Sequence, residues 1–268
     1  MARELRLLLA LPLVACALAA SLVLRAQQEA EPTAEAPVQE PKPAVVPDEW
    51  AASPSFPKPD PAPEPELRHL VAHVKPGRAV AIHSRPDGRV LASLSSTTEF
   101  GSARALSVVR ERRGRWLGVT TPQLPNGKLG WVDARSGAFR YSHAPVELEV
   151  DLSRRRLVLR RGDDVLRRVV VSIGRPGSST PTGRFAVTDK LPGHRYSSVY
   201  GCCILALSGT QPNLPAGWTG GNRLAIHGTL DQGSVGGRSS AGCLHARDDD
   251  LRRLMNSVPL GTPVRIHA

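Results

Sequence analysis

The chain has 268 residues, a formal net charge of +11 and a pI near 10.3, and its composition is not uniform along its length. That length exceeds one average domain. Its four cysteines form no Cys-x-x-Cys pair and no His cluster with carboxylates accompanies them, which argues against a structural zinc site.

Residues 5–24 are almost wholly apolar, with Arg3 and Arg6 around their start, so 1–26 reads as a signal peptide or N-terminal membrane anchor. The run from Leu7 to Leu24 is long enough to span a bilayer if it is not cleaved. Leu13-Val14-Ala15-Cys16 loosely matches a lipidation box. The next eight residues stay apolar, however, where a lipidated cysteine opens a polar tether, so Cys16 reads as an ordinary apolar residue. Residues 27–67 hold eleven of the 24 prolines and nine acids against two lysines. Such a segment is expected to be an extended, disordered linker. Trp50 and Phe56, its only aromatics, carry no reading of their own. Residues 68–268 carry 30 Lys+Arg against 14 Asp+Glu, a net +16. A surface of that sign attracts polyanions. Behind an export segment those are acidic wall polymers and lipid head groups, not nucleic acid, and an arginine-rich coding bias accounts for the charge equally well.

From 68 to 142 short β-type runs alternate with turn residues. Ala79-Val80-Ala81-Ile82, Ser107-Val108-Val109, Trp116-Leu117-Gly118-Val119 and Gly130-Trp131-Val132 read as strands. Arg85-Pro86-Asp87-Gly88 and Leu124-Pro125-Asn126-Gly127 are turn signals. The tryptophan pair and the strand spacing around it resemble the end of a bacterial Src-homology-3-type barrel. That resemblance implies a small module that binds wall peptides or packs beside a catalytic domain, with both tryptophans read as barrel core.

Residues 143–268 also begin as β structure. Val146 to Leu152 alternates apolar and polar, and 156–171 reads as a hairpin around Arg161-Gly162-Asp163-Asp164. Asp248 to Met255 is the one helix signal, with acids in its first turn and arginines later, the favourable order for the helix dipole. Val264-Arg265-Ile266 closes as a strand. Cys202 and Cys203 are expected on a strand, YGCCILAL, as small buried hydrophobes facing opposite ways. The fold class expected is all-β with one short helix.

The chemistry concentrates in His227-Gly228-Thr229, thirteen residues, then Cys243 within Ser239-Ser240-Ala241-Gly242-Cys243-Leu244-His245. A cysteine reacts as its thiolate, and a nearby imidazole can take the proton and hold the charge. Glycine just before it permits a sharp turn and lets backbone N–H groups converge on an oxyanion. This stretch resembles the signature of the L,D-transpeptidase (YkuD-type) catalytic domain, and Thr180-Pro181-Thr182-Gly183-Arg184-Phe185 resembles a second element of that family at the expected distance upstream.

The resemblance implies a YkuD-type β-sandwich over 143–268, with Cys243 as nucleophile, His227 as base and Gly242-Cys243 as the oxyanion turn. Ser240 would fix the loop, and Gly228 and Thr229 would shape the pocket. Ala241 stands where many relatives carry His. His245 stands where the family usually has Arg or Asn, which bears on substrate preference. Tyr196 and Trp218 lie in the 190–221 insertion, equivalent to a lid in relatives, and are expected to pack in the core. The implied reaction is acyl transfer from a peptidoglycan stem peptide through a Cys243 thioester, with release of D-alanine and without metal or organic cofactor. His227 is expected to favour the thiolate first and then to protonate the leaving amine. The same motif implies acylation of Cys243 by carbapenem-type β-lactams. An L,D-carboxypeptidase on the same site and a non-catalytic wall-binding protein remain alternatives.

Overall fold

The computed structural model describes residues 68–268; the expected signal or anchor and the proline-rich linker lie outside them. Seven strands build the N-terminal sheet: β1 (Leu70–Val74), β2 (Ala79–His83), β3 (Val90–Ser95), β4 (Ala105–Arg112), β5 (Trp116–Val119), β6 (Gly130–Asp133) and β7 (Phe139–His143). Their order is β3-β2-β6-β5-β4-β1-β7, so β3 and β7 are its edges. All seven strands feed one core, in which Ile82, Val119 and Val132 are fully buried. Trp116 is buried with its ring edge-on to His83, whereas Trp131 is only half-buried and lies over Gly118. In the turn before β6, Gly127 takes the left-handed conformation (φ 80°) that completes the Leu124–Gly127 reversal.

The C-terminal region contains β8 (Glu147–Asp151), β9 (Arg156–Arg161), β10 (Asp164–Val170), β11 (Ile173–Gly174), β12 (Gly183–Pro192), β13 (Cys203–Thr210), β14 (Arg223–His227), β15 (Arg238–Ser240), β16 (Leu244–His245), α1 (Asp248–Ser257) and β17 (Pro263–His267). Eight strands are ordered β10-β9-β8-β17-β12-β13-β14-β16, and β11 pairs separately with β15. β12 serves two layers. Its first half pairs with β17, a bulge intervenes between Val187 and Asp189, and its second half pairs with β13. An extra residue at a bulge bends a strand and increases its twist, and the sheet folds over on itself there. The enclosed core takes Leu148, Leu157 and Ile266 from one side, Leu205, Leu224 and Ile226 from the other, and Leu251 and Leu254 from α1. Each leucine buried there stabilises the fold by about 1.5–3 kcal/mol relative to leaving it exposed. The fold is thus mostly β with one helix of consequence, in keeping with the sequence reading.

Side chains alternate across strands, so β12, β13 and β14 offer a second apolar face made of Leu191, Ile204, Ala206 and Ala225. That face floors the cleft described below. β13 is buried along nearly its whole length because both its faces are covered. The N- and C-terminal regions pack directly. Val71, Ala105 and Ala144 form a small cluster with Leu260, and His69 pairs with Glu147 at 3.2 Å. The described residues form one compact unit.

One expectation fails at the start of β13. Cys202 and Cys203 are bonded to each other as an adjacent-residue disulfide, not separate thiols on opposite strand faces. Strand pairing begins only at Cys203. Cys202 belongs to the preceding turn, where its N–H donates to Asp248 Oδ2 at 3.1 Å. The alternation that would send neighbouring strand residues to opposite faces therefore does not operate.

Candidate active site

Cys243 lies in the sharp turn that joins β15 to β16. Gly242 makes that turn with φ 118°, and a Cβ there would fall 1.7 Å from Gln211 Nε2, so no side chain fits. The Ser240 hydroxyl braces the turn from inside: it donates to the Cys243 carbonyl (2.6 Å) and accepts the Gly242 N–H (3.0 Å). The Gly242 N–H is therefore already engaged, and of the Gly242-Cys243 pair only the Cys243 N–H is a candidate oxyanion donor. β16 then runs parallel to β14, with Leu244 opposite Ile226 and His245 opposite His227. This register brings the motif's two ends together, and the rings of His227 and His245 sit 4.5 Å apart.

His227 is 5% exposed, and its Nδ1 lies 2.6 Å from the Gly228 carbonyl oxygen. A carbonyl only accepts, so Nδ1 carries the proton and Nε2 keeps a free lone pair. The Tyr200 ring packs edge-on against the imidazole at 4.9 Å. Burial, reinforced by the neighbouring His245, depresses the His227 pKa to about 3. The Cys243 sulfur points inward, 3.8 Å from the Arg223 carbonyl. Burial raises its pKa to about 11, against an opposing hydrogen bond from the Ala225 backbone. Burial thus pushes both the Cys243 thiol and the His227 imidazole toward their neutral forms. Desolvation of this kind works against the separated charges of the thiolate–imidazolium pair that the sequence reading expects.

The other motif residues take supporting places. Gly228 permits close approach: a Cβ there would meet Asp248 Oδ1 at 2.4 Å and the Gly201 Cα at 2.8 Å. Thr229 accepts the Asp231 N–H on its hydroxyl (3.2 Å), tightening the loop that leaves β14. His245 lines the cleft, with its pKa lowered by burial and with Nδ1 buried and unpartnered. Thr180 turns inward, its hydroxyl accepting the Gly174 N–H at 2.8 Å.

Cys243 and His227 open on a cleft of about 830 Å³, within the range that takes a drug-sized ligand. Tyr196 and Trp218 are 47% and 45% exposed and line this cleft instead of packing in the core. Tyr196 lies in the β12–β13 connection and Trp218 in the β13–β14 connection, and both connections border the cleft. Phe100, Asp189, Gln211 and Arg223 are site residues that sequence reasoning missed. Their partners stand tens of residues away, and no local spacing marks them. Among the described residues no group of His, Cys, Asp and Glu side chains gathers as a metal site.

The L,D-transpeptidase catalytic-domain family, YkuD, matches residues 145–266. Those residues are similar to L,D-transpeptidase catalytic domains. YkuD of Bacillus licheniformis, described as an L,D-transpeptidase, is 28% identical over 122 residues, covering 46% of this chain and 66% of that protein. YqjB of Bacillus subtilis, described likewise, is 32% identical over 105 residues, covering 36% of this chain and 56% of its own length. The chain thus spans two thirds or less of these relatives. The solved structure of L,D-transpeptidase 3 from Mycobacterium tuberculosis with a faropenem-derived adduct is 15% identical, with a TM-score of 0.39 over 52% of this chain and 73% of that one. The matched residues begin just after the last strand of the N-terminal sheet.

Proposed function

We propose that this protein is an exported peptidoglycan L,D-transpeptidase working through a Cys243 thioester. The observation that supports this best is the proton placement at His227. With Nδ1–H held by the Gly228 carbonyl, Nε2 faces the reaction as a base. Because burial favours the neutral forms of both groups, proton transfer from Cys243 to His227 accompanies attack on the substrate carbonyl. The sulfur adds to the carbonyl that links the third stem residue to terminal D-alanine, and the Cys243 N–H faces the developing oxyanion. The imidazolium returns its proton to the departing amine, leaving D-alanine and a thioester. An acceptor amine from a second stem peptide, or from a protein to be anchored, then attacks and gives up its proton through the same imidazole. The chain's own residues supply every group in this cycle.

The cleft suits an extended peptide, with an apolar floor and aromatic flanks at Tyr196 and Trp218. Residues 5–24 would hold the enzyme at the membrane or direct its secretion, 27–67 would give it reach, 68–142 would be its first folded module and 143–268 its catalytic one. Acidic wall polymers are further partners for the basic surface.

The test is to incubate the full chain and its Cys243→Ala variant with a disaccharide-tetrapeptide and read products by mass spectrometry. The expected result is a crosslinked dimer with loss of D-alanine, absent with the variant. Tripeptide monomer alone would reassign the site to a carboxypeptidase, and no product from the wild-type chain would count against catalysis on this substrate.

A further inference from the structure

The loop between β3 and β4 belongs by sequence to the N-terminal sheet, yet its tip reaches the cleft. Thr98, Glu99 and Phe100 each touch a different element of the catalytic domain. The Thr98 hydroxyl donates to Asp189 Oδ1, and Glu99 pairs with the Arg223 guanidinium. Phe100 lines the cleft, with its ring under the Arg223 guanidinium at 5.6 Å and edge-on to Tyr196 at 5.9 Å. Asp189 is fully buried at the β12 bulge, and Arg223 Nη1 stands 3.9 Å from its other oxygen. Arg223 opens β14, and its own carbonyl is the group against which the Cys243 sulfur rests. Ala225 and His227 follow on the same strand. One strand therefore carries the seat of the thiol at one end and the base at the other, and its first residue is gripped from the N-terminal sheet.

The loop is built to hold a position. Thr98 accepts the N–H groups of Phe100 (3.3 Å) and Ser102 (3.1 Å) on its hydroxyl, and buried Arg104 bonds the carbonyls of Ser95 (2.7 Å) and Thr97 (2.6 Å). A second contact of the same kind comes from the β5–β6 turn. Asn126 brackets Thr210 with two hydrogen bonds, to its carbonyl (2.6 Å) and from its N–H (2.9 Å). The next residue, Gln211, bonds the Ser179 carbonyl (2.9 Å) and presses on Gly242.

We propose that the β3–β4 loop is a working component of the active site, in which Phe100 is a wall of the substrate cleft and Thr98 and Glu99 are positioning residues that hold, through Asp189 and Arg223, the strand seating Cys243. The N-terminal sheet is then a component of the catalytic unit and not a separate wall-binding tether. For turnover this rests on the function proposed above; for the reactivity of the thiol it does not.

The experiment compares the full chain with Phe100→Ala, Glu99→Gln and Glu99→Asp, using Glu111→Gln at the exposed end of β4 as a control. Stem-peptide turnover, the pH profile of Cys243 alkylation by iodoacetamide and the melting temperature are read for each. Phe100→Ala is expected to raise KM about tenfold with kcat largely kept, because a wall of the cleft contributes binding in ground and transition states alike. Glu99→Gln is expected to lower kcat and shift the alkylation profile, with Glu99→Asp partly restoring both and the control matching wild type. Kinetics and profiles equal to wild type, or losses that only follow the melting temperature, would overturn the proposal. Should the wild-type chain turn over no stem peptide, the alkylation profiles decide: equal profiles for Glu99→Gln and wild type sink the proposal, and a shift reversed by Glu99→Asp upholds it.

Discussion

At the residue scale the site works by withholding charge. His227 and Cys243 are desolvated together, and each is driven toward its neutral form, to about 3 and about 11. Both shifts have burial as their first cause, so both disfavour the charged forms in the free protein. Alkylation of Cys243 by a thiolate-selective reagent should accordingly be slow at neutral pH and climb steadily as pH rises toward 11, following the thiolate fraction. A stopped-time alkylation series read by intact mass checks this. Fast labelling that is level from pH 5 upward would mean a standing thiolate–imidazolium pair. Gly242 shows how little freedom the turn has: its positive φ and the Gln211 amide against it leave no alternative residue.

At the scale of elements, the site depends on strand pairing across short segments. β16 is two residues long, yet its register on β14 sets His245 opposite His227 and brings the Cys243 turn against the Arg223–Ala225 stretch of the same strand. So short a strand gains little from its own ladder, and the turn before it is held by Ser240 and Gln211 instead. Gln211 is in turn fixed by Thr210 and Asn126. Asn126→Ala removes both side-chain hydrogen bonds and leaves the Thr210 groups without that partner, a loss of about 1–3 kcal/mol. Denaturant unfolding should show it, together with reduced turnover. Stability unchanged within error would mean that solvent replaces the bracket without cost.

For the whole molecule, the two desolvated groups set pH limits on stability. The unfolded chain takes up a proton at His227 below its ordinary value of 6.5, whereas the folded chain does so only near 3. Folding stability is therefore lost as pH falls from about 6.5 toward 3. At the other end the folded thiol keeps its proton to about 11 while the unfolded one releases it near 9.0, so stability is lost as pH rises between them. Melting temperatures measured across pH should give a plateau between these limits. His227→Gln should flatten the acid limb, and an unchanged acid limb in that variant would place the sensitivity elsewhere. The same scale explains why two sheets act as one: the 258–262 segment packs on Val71, and a Cβ on Gly261 would meet that valine at 2.3 Å.

The sequence by itself determined the chemistry-bearing positions and the kind of elements that carry them. His227, Gly242 and Cys243 stand in a local pattern because a tight turn and a nucleophile must be adjacent in the chain, and the alternation in 146–152 and the acids opening α1 are likewise local. Only the tertiary structure decided the rest. The bonding of Cys202 to Cys203 turns on where strand pairing begins. The place of Tyr196 and Trp218 follows from the two connections flanking β13, which border the cleft. The protonation of the pair is set by desolvation, which belongs to the assembled cleft and to no residue alone. Thr98 with Asp189 and Glu99 with Arg223 are contacts across 91 and 124 residues, and such pairs leave no periodicity in the chain because they exist only once β12 has bent and the two sheets have met.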